Sequence, residues 1–142
     1  MKPETHDARS PMKPTALREY STLVKRVRSA VSEDREASLC LHEIMAAGRT
    51  YELMRVVLGK GAPRRVLLSA GIHGDELAGV EALCEWLETR GHAKFLQRWE
   101  ISMLPCLNPW GYEHGTRENG EARDLNREFN SSHPPQEVLF VQ

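Results

Sequence analysis

The chain has 142 residues, a length that fits one domain able to bury a sizeable core. Hydrophobic residues make up 40% and charged residues 27%, and 19 Lys plus Arg against 20 Asp plus Glu leave a net charge of -1. That balance argues against a nucleic-acid partner, and no apolar run approaches the roughly 20 residues of a membrane span.

Residues 1–14 are polar, contain Pro3, Pro11 and Pro14, and read as a disordered tail without the apolar core of a signal peptide. Leu17, Tyr20, Val24, Val27 and Val31 then recur at helical spacing and predict an amphipathic helix over Thr15–Val31, with Lys25, Arg26 and Arg28 towards water. After a polar break at Ser32–Ala37, two strands are expected, Ser38–Met45 and Thr50–Leu58, turning at Ala46-Ala47-Gly48-Arg49. Gly59–Pro63 is a turn. Arg65–Ile72 is an almost unbroken apolar run, which predicts a strand buried on both faces in the centre of a sheet.

Glu76–Arg90 carries the stripe Leu77, Val80, Leu83, Cys84 and Leu87 and predicts a helix ended by Gly91. The next strand is expected at Trp99–Leu107. Strand, helix and strand in this order predict a right-handed crossover with parallel pairing. The fold class is therefore α/β: a mixed, largely parallel central sheet with flanking helices. Asn108–Pro135 reads as a long polar loop, the kind that is functional or disordered. A new helix is expected after Pro134-Pro135, and the sequence stops inside it, as an N-terminal part of something longer would.

Chemistry concentrates in two places. His73 and Glu76 follow the apolar strand and open the helix, at the carboxyl end of the strand where α/β sheets bind ligands. Imidazole and carboxylate are both good zinc ligands, and a catalytic zinc takes three protein ligands plus water. Gly71 and Gly74 are expected to keep the space around the ion clear, and Asp75 to orient His73. In the polar loop, Arg117 and Arg127 offer rigid forks of donors suited to carboxylates and oxyanions, with Asn119 and Asn126 as neutral donors beside them. Asp124 is expected to fix the loop rather than to act in chemistry, and Glu121 and Arg123 to face solvent. His6, His42 and His92 read as surface or hairpin residues. Cys40, Cys84 and Cys106 form no Cys-x-x-Cys pair and read as reduced, buried thiols of a cytoplasmic protein.

Gly71-Ile72-His73-Gly74-Asp75-Glu76, Asn108-Pro109-Trp110-Gly111, Arg117-Glu118-Asn119 and Asp124-Leu125-Asn126-Arg127-Glu128-Phe129 together resemble the zinc metallocarboxypeptidase family, whose superfamily includes aspartoacylase and succinylglutamate desuccinylase. The likeness covers roughly residues 50–130. It implies a zinc carboxypeptidase-like fold, truncated here, with residues 15–142 as the N-terminal part of the catalytic domain. It further implies His73 and Glu76 as two of three Zn2+ ligands, Arg117 as the stabiliser of the oxyanion, and Asn126 with Arg127 as the holders of a terminal carboxylate. The substrate is then a peptide C-terminus or an N-acyl amino acid.

Trp110 departs from the Asp common after Asn-Pro in many carboxypeptidases, and Ala122-Arg123 from the Gly-Val common before Asp124. The family's third ligand, a His on a later strand, and its general-base Glu have no match, and His114 and His133 sit in the loop. Two function classes follow: a zinc-dependent hydrolase of an amide bond next to a carboxylate, as metallocarboxypeptidase or N-acyl amino acid deacylase, or a catalytically incomplete fragment or pseudoenzyme that binds a carboxylate.

Overall fold

A computed structural model describes residues 18–142; the expected tail at 1–14, the start of the first helix and His6 lie outside the described residues. The elements in chain order are α1 (Tyr20–Ser32), β1 (Ala37–Ala46), β2 (Arg49–Leu58), β3 (Arg64–Ser69), α2 (Leu77–Glu88), β4 (Trp99–Leu104), α3 (Pro109–His114) and α4 (Gln136–Val141), with 3-10 turns at Ala93–Phe95 and Leu125–Arg127. No described helix is long and apolar enough to cross a membrane.

The four strands form one mixed sheet in the order β1-β2-β4-β3. β1 and β2 are a hairpin, and the tight turn at Ala47 (φ 47) and Gly48 (φ 77) forces antiparallel pairing. β2 meets β4 antiparallel, while β3 and β4 run parallel from Arg64↔Trp99 to Ser69↔Leu104. The expected crossover through α2 thus delivers its parallel pair. The parallel share of the sheet is one pairing of three among the described residues, because β2 of the hairpin pairs antiparallel with both β1 and β4.

β3 differs from expectation in its surroundings. It is an edge strand of this sheet, and its side chains alternate between half-buried Val66 and Leu68 and exposed Arg65, Leu67 and Ser69. An apolar run specifies a strand, but whether both of its faces are covered depends on which elements pack there. Val66 and Leu68 face the helical side, where the core gathers Leu23, Val24 and Val27 of α1, Val80, Cys84 and Leu87 of α2, and Met54, Val56, Leu58, Ile101 and Met103 of the sheet. Arg26 of α1 reaches Glu81 and Glu88 of α2 at 2.8 Å, a surface network of modest worth.

The stop of α2 is a six-to-one and five-to-two hydrogen-bond pair, Gly91 N–H to Trp86 O and Arg90 N–H to Leu87 O, with Arg90 rather than Gly91 in the left-handed conformation (φ 56). Of the thiols, Cys84 and Cys106 are buried, and burial pushes them up to about 11 and about 12; Cys40 is exposed on β1, against the expectation of burial.

Candidate active site

β3 ends at Ser69, and the backbone then leaves the sheet through Ala70, whose N–H still bonds Leu104 O, and Gly71, whose carbonyl accepts from Asn108 N–H at 2.8 Å. Thus the exits of the parallel strands are tied together, and the residues after each lie side by side. The contact is close: a Cβ on Gly74 would stand 1.9 Å from the Gly111 carbonyl carbon. Gly74 therefore makes room for the backbone of α3 rather than for an ion, and Gly71 packs on Val80 and Cys106.

The segment after β4 is not a structureless loop. Asn108 caps α3, its Oδ1 accepting from Gly111 N–H at 2.9 Å, with Pro109 as first helical residue and Gly115 (φ 65) ending the helix. Asn108 is fully buried and its Nδ2 donates to Glu118 O at 3.1 Å, which folds the chain back after α3. A short turn follows, and Asp124 then caps the 3-10 turn that holds Asn126 and Arg127, accepting from Asn126 N–H at 3.1 Å.

His73 is buried at the junction of the two segments. Its Nδ1 stands 3.0 Å from Glu76 Oε1 and its Nε2 3.0 Å from Asp124 Oδ1. Arg117 Nε donates to Asp124 Oδ2 at 3.1 Å, and its Nη1 is 3.9 Å from Glu76 Oε1. Arg127 Nε is 3.9 Å from Asp124 Oδ2, with the side chain 79% exposed. His73, Glu76 and Arg117 are thus brought together, Asn126 and Arg127 stand exposed at their rim, and Asp124 contacts all of these but Glu76. Desolvation pushes the Asp124 carboxyl up, but hydrogen bonds from His73, Arg117 and Asn126 N–H outweigh it and hold it below its ordinary value.

Several sequence expectations need correction here. Asp75 is exposed, and the partners of the His73 ring are Glu76 and Asp124, the latter 51 residues later. Asn119 is buried at 2% exposure and its side-chain amide is engaged within the protein, Nδ2 donating to Glu137 at 3.2 Å. Arg123 is not turned to solvent: it pairs with Glu128 and donates to His133 O at 2.9 Å. His92 is wholly buried, 2.7 Å from Asp34 Oδ2. His42 is on β1 and stacks on Phe140. His114 stacks on Trp110 with Nδ1 against Trp110 O, and His133 pairs with Ser132, so neither reaches His73.

The donor set fits zinc as a pair. Asp124 and Glu76 are both carboxylates and accept only, and a neutral imidazole carries a single N–H, so the ring nitrogen without it presents its lone pair to a carboxylate. Two acceptors face to face require one positive charge between them, a proton or a metal ion. Their 3.0 Å separation is close to the ~3.4 Å kept by two ligands of one tetrahedral zinc. Among the described residues no group of three or more His, Cys, Asp and Glu side chains is placed to hold a metal ion, so a third ligand is not supplied by them.

The family profile for the succinylglutamate desuccinylase/aspartoacylase catalytic domain matches residues 62–138. A metallo-carboxypeptidase from Pseudomonas aeruginosa, solved in complex with (2-guanidinoethylmercapto)succinic acid, is 25% identical with a TM-score of 0.63 over 87% of this chain and 34% of its own. A metallo-carboxypeptidase from Burkholderia cenocepacia is 26% identical, with a TM-score of 0.60 over 81% of this chain and 34% of its own. A succinylglutamate desuccinylase/aspartoacylase from Rhodobacter sphaeroides shares the fold at 23% identity and a TM-score of 0.58, over 76% and 35%. The chain spans about a third of the length of these structures. No curated protein sequence matches it. The profile covers both motif-bearing segments and more than half of the chain, which therefore belongs to the succinylglutamate desuccinylase/aspartoacylase family of zinc carboxypeptidase-like proteins.

Proposed function

We propose that this chain is the N-terminal part of a zinc-dependent hydrolase that cleaves an amide bond adjacent to a carboxylate, acting as a metallocarboxypeptidase. The observation that carries this reading is the His73 ring held between Asp124 and Glu76 with Arg117 beside it. His73 and Glu76 would hold the zinc, with the third ligand supplied from outside the described residues. Bound there, zinc lowers the pKa of a water and polarises the scissile carbonyl.

The chain's own residues do the rest. Asp124 keeps the Nε2 proton of His73 in place, which leaves Nδ1 free as a ligand. Arg117 stands beside Glu76 and presents donors to the oxyanion that develops on the carbonyl oxygen. Arg127, with its exposed guanidinium, and Asn126 hold the carboxylate of the substrate and so orient the bond to be cut. The succinate-bearing ligand of the Pseudomonas aeruginosa relative supports carboxylate recognition. The free thiols of Cys40, Cys84 and Cys106 support a reducing, cytoplasmic location.

A second reading, an N-acyl amino acid deacylase, is favoured by the family profile itself. A panel of peptides with free C-termini against N-acetyl and N-succinyl amino acids separates the two. Turnover of peptides alone supports the carboxypeptidase, turnover of acyl amino acids alone the deacylase. Absence of both in a protein that binds carboxylates would favour a catalytically incomplete fragment or pseudoenzyme.

A further inference from the structure

Glu137 is a buried acid that the reading above leaves without a role. It lies in the first turn of α4 and is 4% exposed, and burial pushes its carboxyl above the ordinary value. Its Oε1 accepts from Asn119 Nδ2 at 3.2 Å. Asn119, 2% exposed, uses its other amide atom to gather a turn: Oδ1 accepts from Glu121 N–H and from Arg123 N–H, both at 3.0 Å. The backbone closes the same turn, with Asn119 N–H to Arg123 O and Ala122 N–H to Asn119 O at 3.0 Å each, and Ala122 in the left-handed region (φ 57).

The segment from Arg117 to Asp124 is therefore wound around one side-chain amide. With Oδ1 receiving two backbone N–H groups, Nδ2 must point the other way, and the acceptor that awaits it is Glu137. Arg117 lies two residues before Asn119 and Asp124 five after it, so the orientation of this amide sets where both arrive. A buried acceptor left without its donor, or the reverse, costs more than an exposed one, so the pair is strongly specified.

We propose that Glu137, acting through Asn119, is a positioning residue for the site: it fixes the 117–124 turn so that Asp124 meets His73 Nε2 and Arg117 stands beside Glu76. The importance for catalysis rests on the proposed function; the positioning itself does not.

The test is residue-resolved amide hydrogen exchange in the full chain, together with the NMR signal of the His73 Nε2 proton. Glu137→Ala should speed exchange at Glu121 and Arg123 by about tenfold or more, the effect of losing one hydrogen bond of ordinary strength. It should also broaden or shift the His73 signal while α1 and α2 amides keep their rates. Glu137→Gln, which retains an acceptor oxygen, should restore both. Asn119→Asp should loosen the turn by facing two carboxylates, and combining it with Glu137→Gln should tighten it again, since the introduced amide then donates to the introduced carboxylate. Unchanged exchange at Glu121 and Arg123, or equal acceleration throughout the chain, overturns the proposal whatever the activity. Should Glu137→Ala not fold, the Asn119→Asp pair of variants decides alone: rescue supports the brace, and no rescue overturns it. Inactivity of the complete enzyme would count against the hydrolase and leave the exchange result standing.

Discussion

The protein contains two Asp–His pairs of similar geometry and different fate. His92 Nε2 meets Asp34 Oδ2 at 2.7 Å, and His73 Nε2 meets Asp124 Oδ1 at 3.0 Å. The first pair is sealed, with both side chains at 1% exposure or less. Its second ring nitrogen, Nδ1, is buried without a partner, and Trp86 stands edge-on to the ring at 5.8 Å. The second pair lies at the mouth of the strand exits, and its Nδ1 faces Glu76 with Arg117 nearby. The first pair is a buried staple; in the second, on the proposed function, the same two side chains make an oriented ligand. What decides is the company of the free nitrogen: apolar surroundings leave it inert, while a carboxylate acceptor leaves a place for a cation.

The largest effect that could break this comparison is on stability. His92→Ala leaves the Asp34 carboxylate buried with only the Glu36 N–H, at 3.0 Å, and Arg90, at 3.4 Å, as partners, and should cost about 3–5 kcal/mol in denaturant unfolding. A loss below about 1 kcal/mol, the range of surface pairs, would mean that the pair is not a staple.

At the other pair the expected losses are functional. Arg117→Ala, at an exposed position, should lower kcat by about 100- to 1,000-fold in the complete enzyme with little change in unfolding midpoint. A change confined to KM would remove Arg117 from the oxyanion. Asp124→Asn should weaken zinc binding about 10- to 100-fold by releasing the His73 ring, whereas Asp34→Asn should leave zinc affinity alone. Equal effects of the two substitutions on zinc would erase the distinction between the pairs. Arg127→Ala should weaken substrates bearing a free carboxylate about 10- to 100-fold and their amidated counterparts far less, as expected for one charge-assisted contact; equal losses on both would sink that role.

The smallest effect is in the acid limb of stability. Burial pushes the Asp34 carboxyl up, but its hydrogen bonds to His92 and to the Glu36 N–H, with Arg90 beside it, leave it below its ordinary value, as the contacts of Asp124 do there. A folded-state pKa below the unfolded one contributes stability that is complete above the unfolded value of about 4 and is lost as pH falls through the folded value. Stability should therefore drop in acid, and Asp34→Asn should flatten part of that slope. An unchanged slope would place the acid sensitivity elsewhere.

How much of this was legible in the sequence depends on separation along the chain. The hairpin at Ala47-Gly48, the stripe of α2 and the placement of His73 and Glu76 between a strand and a helix are local, and periodicity and turn chemistry announce them. α3 hid inside the expected loop because six residues are too few for a periodic signal, although Asn108, Pro109 and Gly115 carried its start and stop signs. The exposure of Leu67 on β3 could not be read, since burial depends on neighbours and not on the run itself. Both Asp–His pairs escaped for the same reason: 51 and 58 residues separate their members, and no local pattern links them. Asp75 looked like the partner of His73 only because it is two residues away.

The central claim is that Asp124 fixes the proton of His73 on Nε2 and leaves Nδ1 for a cation shared with Glu76. Long-range proton–nitrogen NMR of the His73 ring, without and with added zinc, tests it most directly. The account predicts the Nε2–H tautomer in the neutral ring, a zinc-dependent shift at Nδ1, and loss of both preferences in Asp124→Asn. A neutral ring protonated on Nδ1, or a zinc response at Nε2 alone, would contradict it.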